Sequence, residues 1–162
     1  MRLSFIPIHV FRETPLVTFF DASVPLSNGT DVVVHAGAAT SPPDDGDWPQ
    51  FYVHQHQVDH NLVLTGRRQF VLLNPSWDQP HHVVQLERSM GALTIPVGTL
   101  HRSVSGEEGS VVLNQSHRDS EFSYATEFNP VSLRAREDLQ ALLASPPWIW
   151  CWQDGHIRRD HT

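Results

Sequence analysis

His54-Gln55-His56-Gln57-Val58-Asp59-His60, closed by Gly66, and Pro96-Val97-Gly98-Thr99-Leu100-His101 are the two stretches that decide how this chain folds. Side chains on a strand alternate between faces, so a strand reading predicts that His54 and His56 point the same way. The Pro-x-Gly turn at Pro96 and Gly98 predicts that His101 arrives from a different strand. Three imidazoles aimed at one point from two strands require a sheet that curves back on itself.

The surrounding sequence supplies such a sheet. Leu3–Phe11, Leu16–Phe20, Asp31–His35, Phe51–His56, Asn61–Thr65, Arg67–Asn74, His82–Glu87, Ala92–Ile95, Leu100–Val104, Ser110–Asn114 and Phe122–Phe128 read as short strands. Gly66, Asn74-Pro75, Gly91, Gly98 and Gly106 punctuate them, and the Pro- and Asp-rich run between Ala36 and Gln50 reads as a surface loop. Many short strands argue for an all-β, closed or double-sheet antiparallel fold. One helix is predicted over Leu133–Leu143, with Val131-Ser132 as its cap and Pro146-Pro147 as its stop. The alternating Trp148-Ile149-Trp150-Cys151-Trp152 suits a half-buried strand, a lid over the barrel end, or an arm on a neighbouring subunit. The expected organisation is one domain over residues 1–162, with the barrel core at about 15–128 and the helix and arm at about 131–162.

Composition narrows the function classes. The 162 residues carry a net charge of −7 with no basic run, which argues against nucleic acid and anionic membrane as partners. All eleven positive side chains are arginine, so Schiff-base and lysine-base chemistry is excluded. Cys151 is the only cysteine, and neither a secretion signal nor a long apolar span is evident, so a cytoplasmic setting is expected.

His54, His56 and His101 together with a carboxylate form a donor set for a divalent first-row metal: Fe, Mn, Ni, Cu or Zn. The fourth donor is Asp59 or His60. His60 has the parity of His54 and His56 on a continuous strand, while counting back from Gly66 favours Asp59, and a one-residue shift exchanges them.

These residues resemble the cupin family. Its first motif is a His-x-His pair, an acid and then a glycine, matched by His54, His56, Asp59 and Gly66. Its second ends in Pro-x-Gly-x-x-His, matched by Pro96, Gly98 and His101. The resemblance implies a jelly-roll barrel. The step from His56 to the acid is shorter than the family's, with only Gln57 and Val58 between them. The run from His54 to Gly66, with Thr94–Gly98 and Val111–Asn114, is similar to cupins related to the dTDP-4-dehydrorhamnose 3,5-epimerases. That resemblance implies a histidine base without metal, at His54. It also implies a tyrosine acid near Leu113 or Asn114 and a lysine near Asp59, and both are absent here.

The leading expectation is a metal-dependent enzyme, of dioxygenase or isomerase type, acting on a small organic substrate. His54 and His60 are its candidate catalytic groups. A metal-free sugar epimerase or isomerase with His54 as base is the alternative, and a non-catalytic binding module is a third. Tyr52 shares the parity of His54 and is expected to line the cavity. One of Arg67 and Arg68 faces inward and is a candidate anchor for a carboxylate or phosphate. A homodimer is the expected assembly.

Overall fold

Period-two patterning and the Gly/Pro punctuation produce the all-β framework that the sequence predicts. The computed structural model describes residues 2–161. β1 (Ser4–Ile6) precedes a hairpin of β2 (His9–Thr14) and β3 (Val17–Asp21). β4 (Gly29–His35), β5 (Ala39–Ser41), β6 (Gln50–Val53), β7 (Gln57–Gly66) and β8 (Arg68–Leu73) follow. Then come β9 (His81–Leu86), β10 (Ala92–Ile95), β11 (Leu100–Ser105) and β12 (Ser110–Arg118). The C-terminal part holds α1 (Tyr124–Glu127), β13 (Val131–Ser132), α2 (Glu137–Ala144), β14 (Trp148–Gln153) and β15 (His156–His161).

Two sheets form the barrel. One has the order β1-β10-β7-β12-β4; the other runs β13-β6-β11-β8-β9-β14-β15, with β5 also pairing to β11. Alternation sorts their side chains into inner and outer sets. Val63, Phe70, Leu72, Val84, Leu86, Leu93, Ile95 and Val112 fill one part of the interior. The outer face of the second sheet is sealed by α2, whose Leu139 joins Phe51, Leu73, Leu100 and Leu133. The outer face of the first sheet is covered by the N-terminal segment, with Ile6, Ile8, Phe20 and Ala22 packed near Leu62 and Ala92. What remains inside, between β4, β6, β7, β11 and β12, is a cavity where polar side chains such as His54, Asp59, Asn61 and His101 stand among Val33, Phe70 and Val112.

Several elements differ from the sequence reading: Leu3–Phe11 divides into β1 and β2, which join different sheets, and β5 stands within the expected 36–50 loop. Phe122–Phe128 is not a strand. Ser123 accepts the Ala125 N–H through its Oγ at 3.3 Å, and its carbonyl accepts the N–H groups of Thr126 and Glu127, which closes α1. The Leu133–Leu143 helix begins as a 3-10 turn, Leu133–Ala135, capped by Ser132, and becomes α-helical only at Glu137. The tryptophan tail is the half-buried strand that its alternation predicts. β14 joins β9 in parallel and turns back as β15, while Trp150 and Trp152 pack against the interior cluster. Among the described residues no helix is long and apolar enough to cross a membrane.

Leu139 is wholly buried in the seal between α2 and the second sheet. Leu139→Ala is expected to lower the unfolding free energy by about 2–5 kcal/mol, read from urea denaturation; a loss under about 0.5 kcal/mol would show that α2 is not part of the cooperative fold.

Candidate active site

β6 points Phe51 and Val53 outward and Tyr52 inward, and the chain then leaves the strand at His54. Gln55 and His56 form a bend, so strand alternation no longer relates the two histidines. The bend is held by Glu127, a buried residue on α1. Its Oε2 accepts the N–H groups of Gln55 at 2.9 Å and His56 at 3.1 Å. The backbone carbonyl of Glu127 accepts Nδ1–H of His54 at 2.8 Å. A carbonyl can only accept, so His54 carries its hydrogen on Nδ1 and presents a lone pair at Nε2.

The expectation that His56 points with His54 is corrected. The His56 side chain faces outward and is 30% exposed, with Nδ1 at 3.1 Å from Asp119 Oδ2 and Nε2 at 3.7 Å from Glu121. The Asp119 hydrogen bond and charge raise the His56 pKa, and the same bond lowers that of Asp119.

β7 resolves the choice between Asp59 and His60. Gln57, Asp59 and Asn61 face the cavity, whereas His60 faces the N-terminal cover and bonds Thr94 Oγ1 through Nδ1 at 3.0 Å. Burial lowers the His60 pKa. Asp59 Oδ1 accepts from Gln57 Nε2 at 2.7 Å and from Asn114 Nδ2 at 2.8 Å, leaving Oδ2 free to face the histidines.

The Pro96–Gly98 turn delivers His101 as its spacing predicts. Gly98 adopts a φ of +74°, and its N–H donates to the His54 carbonyl at 2.8 Å, which ties the two motifs together. His101 Nδ1–H donates to the Thr99 carbonyl at 3.1 Å, so its Nε2 also presents a lone pair. Asp59 Oδ2 lies 3.6 Å from His54 Nε2 and 3.5 Å from His101 Nε2. His54, Asp59 and His101 are thus gathered with ligand-capable atoms within 4.8 Å of one another.

The cavity in front of this trio has a volume of about 340 Å³. Tyr52 lines it, as predicted, in stacked orientation to His54. Of the arginine pair, Arg68 faces in, while Arg67 lies outside and pairs with Glu87 at 3.3 Å. Four contributors escaped sequence reasoning. Glu127 and Tyr124 sit on the segment misread as a strand, and nothing local links them to residues some seventy positions earlier. Gln57 and Asn114 are ordinary strand residues until β7 and β12 pair and bring both amides onto Asp59. A chain of contacts extends outward from there: Arg118 donates to Gln57 Oε1 at 2.7 Å, to Tyr124 Oη at 2.9 Å and to Asp31 at 2.9 Å.

Comparison with known proteins locates the fold. No family model matches the chain, and no curated protein sequence does. Solved structures do match. QdtA, a sugar 3,4-ketoisomerase from Thermoanaerobacterium thermosaccharolyticum crystallised with TDP, superposes with a TM-score of 0.56 at 15% identity, covering 84% of this chain and 90% of that one. The WlaRB TDP-quinovose 3,4-ketoisomerase from Campylobacter jejuni gives a TM-score of 0.57 at 12% identity, over 86% and 97%. The dTDP-4-dehydrorhamnose 3,5-epimerase from Elizabethkingia anophelis gives 0.56 at 13% identity, over 76% and 72%. The fold is therefore the cupin jelly roll of these enzymes, as the two motifs implied.

Five buried histidines set an acid limit on this fold. His35, His60, His81, His82 and His101 all have pKa values lowered from 6.5, with burial the largest cause in each. The unfolded chain therefore binds more protons than the folded one below about pH 6.5, and stability falls as the pH drops through that value. The urea midpoint is expected to be lower at pH 5.5 than at pH 7.5; an equal or higher midpoint at pH 5.5 would refute this account.

Proposed function

We propose that this protein is an acid–base enzyme that relocates a proton on a carbon next to the carbonyl of a keto sugar carried on a nucleotide. The observation that carries the reading is the fixed orientation of His54. Its Nδ1–H is committed to the Glu127 carbonyl, and its Nε2 lone pair faces a cavity of ligand size. In the forward step the C–H bond breaks, the proton goes to His54 Nε2, and the bonding pair becomes an enolate on the former carbonyl. The proton received there lies within 3.6 Å of the Asp59 carboxylate, which stabilises the imidazolium. Where the carbon that lost its proton bears a hydroxyl, that O–H proton passes to the enolate oxygen and His54 returns its proton to the former carbonyl carbon, so that the carbonyl moves to the neighbouring carbon and the sugar is isomerised; return of the proton to the other face of the original carbon gives epimerisation.

The ketoisomerase and epimerase structures that share this fold, one of them holding TDP, support the substrate class. The tyrosine acid missing near Leu113 and Asn114 has stand-ins, because Tyr52 and Tyr124 both line the cavity. The free Cys151 fits a reducing cytoplasm. A homodimer completes the reading. Val10, Phe11, Leu16, Val17 and Phe19 on the β2–β3 hairpin and Val32 and Val34 on β4 are exposed apolar side chains that a second copy is suited to cover.

A second reading rests on the same trio. Two imidazole nitrogens and a carboxylate oxygen, with each imidazole anchored at Nδ1 by a carbonyl, suit a divalent first-row ion. His54, Asp59 and His101 would hold it, and the ion would supply Lewis-acid polarisation of a substrate oxygen.

Two measurements test these readings. The protein incubated with dTDP-4-dehydrorhamnose in D2O is expected to exchange the proton next to the carbonyl, seen by NMR. His54→Asn should slow that exchange roughly 10²–10⁴-fold, and unchanged exchange in the variant would remove His54 as the base. Elemental analysis after mild purification and reloading separates the second reading: stoichiometric metal lost in Asp59→Asn but kept in His56→Ala would support it, and no metal in the wild type after reloading would end it.

A further inference from the structure

Arg68 is the largest fully buried side chain in the molecule, 1% exposed, and the reaction proposed above gives it no task. Arg68 lines the same cavity as His54 and His101, and its Nη1 donates to Ser103, which lines it too. Every partner it has is a neutral oxygen: Ser110 Oγ at 2.6 Å, Ser103 Oγ at 3.3 Å, the Val33 carbonyl at 3.3 Å and the Ser110 carbonyl at 3.2 Å. Burial lowers its pKa to about 10, which still leaves it charged at neutral pH.

No carboxylate among the described residues answers that charge. The two acids that line the cavity are engaged elsewhere. Asp31 is paired with Arg118 at 2.9 Å, and Asp59 accepts from Gln57 and Asn114 and faces the two histidines. The nearby His35 bonds Ser105 Oγ, and burial and the Arg68 charge hold its pKa low, which favours the neutral imidazole. Neutral oxygens satisfy the hydrogen-bonding of a guanidinium but not its charge, and a buried charge is costly without a counter-ion. Four of the five N–H groups of the fork are used by the protein, which leaves one on Nη1.

The position along the barrel is specific. Ser103 lies two residues beyond His101 on β11 and faces the same side, which places the guanidinium roughly 7 Å deeper than the histidine pair. That separation spans a monosaccharide ring. A group on one end of the sugar can therefore meet Arg68 while the carbonyl meets His54.

We propose that the floor of the cavity is a carboxylate subsite, in which Arg68 with Ser103 receives a carboxylate on the inner end of the sugar, so that the substrate class is a uronate-type keto sugar. The subsite rests on the keto-sugar reading for its ligand, but the anion preference can be measured separately. The bound carboxylate supplies the missing negative charge, and the Ser103 hydroxyl, which accepts from Arg68 at 3.3 Å, has its own O–H to donate to it.

The test is calorimetric titration of the whole protein with dTDP-glucose and dTDP-glucuronate, which differ only in the group at the inner end. Thermal-shift measurements with free D-glucose and D-glucuronate accompany it. The wild type is expected to prefer the glucuronate of each pair by at least about tenfold, and Arg68→Gln is expected to lose that preference. Ser103→Ala provides a milder variant should Arg68→Gln fail to fold, and it too is expected to narrow the preference. Equal binding of dTDP-glucose and dTDP-glucuronate would overturn the subsite while leaving the nucleotide-sugar reading in place. Binding of free D-glucuronate alone, dependent on Arg68, would support the subsite and overturn the nucleotide-sugar reading. No binding of any of the four would overturn both, and a glucuronate preference that survives in Arg68→Gln would place the anion site elsewhere.

Discussion

The site depends on one carboxylate acting at a distance. Glu127 holds the bend between β6 and β7 by accepting two backbone N–H groups that a strand would have paired and a bend leaves open. Left unmet in a buried position, each such donor costs on the order of 1–3 kcal/mol. The same residue fixes the His54 ring through its backbone carbonyl, and Gly98 fixes the His54 carbonyl from the opposite side. His54 is thus pinned at ring and backbone by two segments from the second half of the chain. The bend also turns His56 away, so the interaction that orients one histidine removes the other from the site.

Around that point the barrel divides its interior. Where β8, β9 and β10 face each other the lumen is filled with aliphatic and aromatic side chains; where β4, β6, β7, β11 and β12 face it, polar side chains stand among apolar ones such as Val33, Phe70 and Val112. Burying so many polar groups is costly unless they satisfy one another. They do so in a connected path that runs from Asp59 through Gln57 and Arg118 to Asp31 and Tyr124. The stabilisation that permits a polar lumen comes from the outer faces, where α2 seals the second sheet and the N-terminal segment covers the first. The architecture thus places hydrophobic burial on both outside layers and reserves part of the inside for chemistry.

Legibility in the sequence followed the range of the interactions. Strands, turns and the delivery of His101 by Pro96-x-Gly98 were readable because turn chemistry and period-two patterning are local. The pairing of His54 with His56 was not, because it assumed a continuous strand, and the carboxylate that breaks the strand stands 72 residues from Gln55. The choice between Asp59 and His60 was open because Leu62 and Leu64 also look buried: the outer face of β7 is covered by the N-terminal segment, so hydrophobicity does not mark the inner face. The parallel docking of β14 on β9 leaves no trace in local pattern, since an alternating strand reads the same whether its partner belongs to its own barrel or to another chain.

Three acceptors face one another at the centre of this protein: Nε2 of His54, Nε2 of His101 and Oδ2 of Asp59. The imidazole hydrogens that might have joined them are donated to the carbonyls of Glu127 and Thr99, and the Gln57 and Asn114 amides donate to Asp59 Oδ1 and not to Oδ2. Lone pairs aimed at a common point repel unless something positive stands among them. A proton meets that need and makes the trio an acid–base centre; a divalent cation meets it and makes the trio a ligand set. The geometry of the chain therefore selects a positive charge at this point before it selects a reaction. What the charge is for depends on the cavity in front of it, where Tyr52, Tyr124 and Arg68 leave room for a ligand of monosaccharide size.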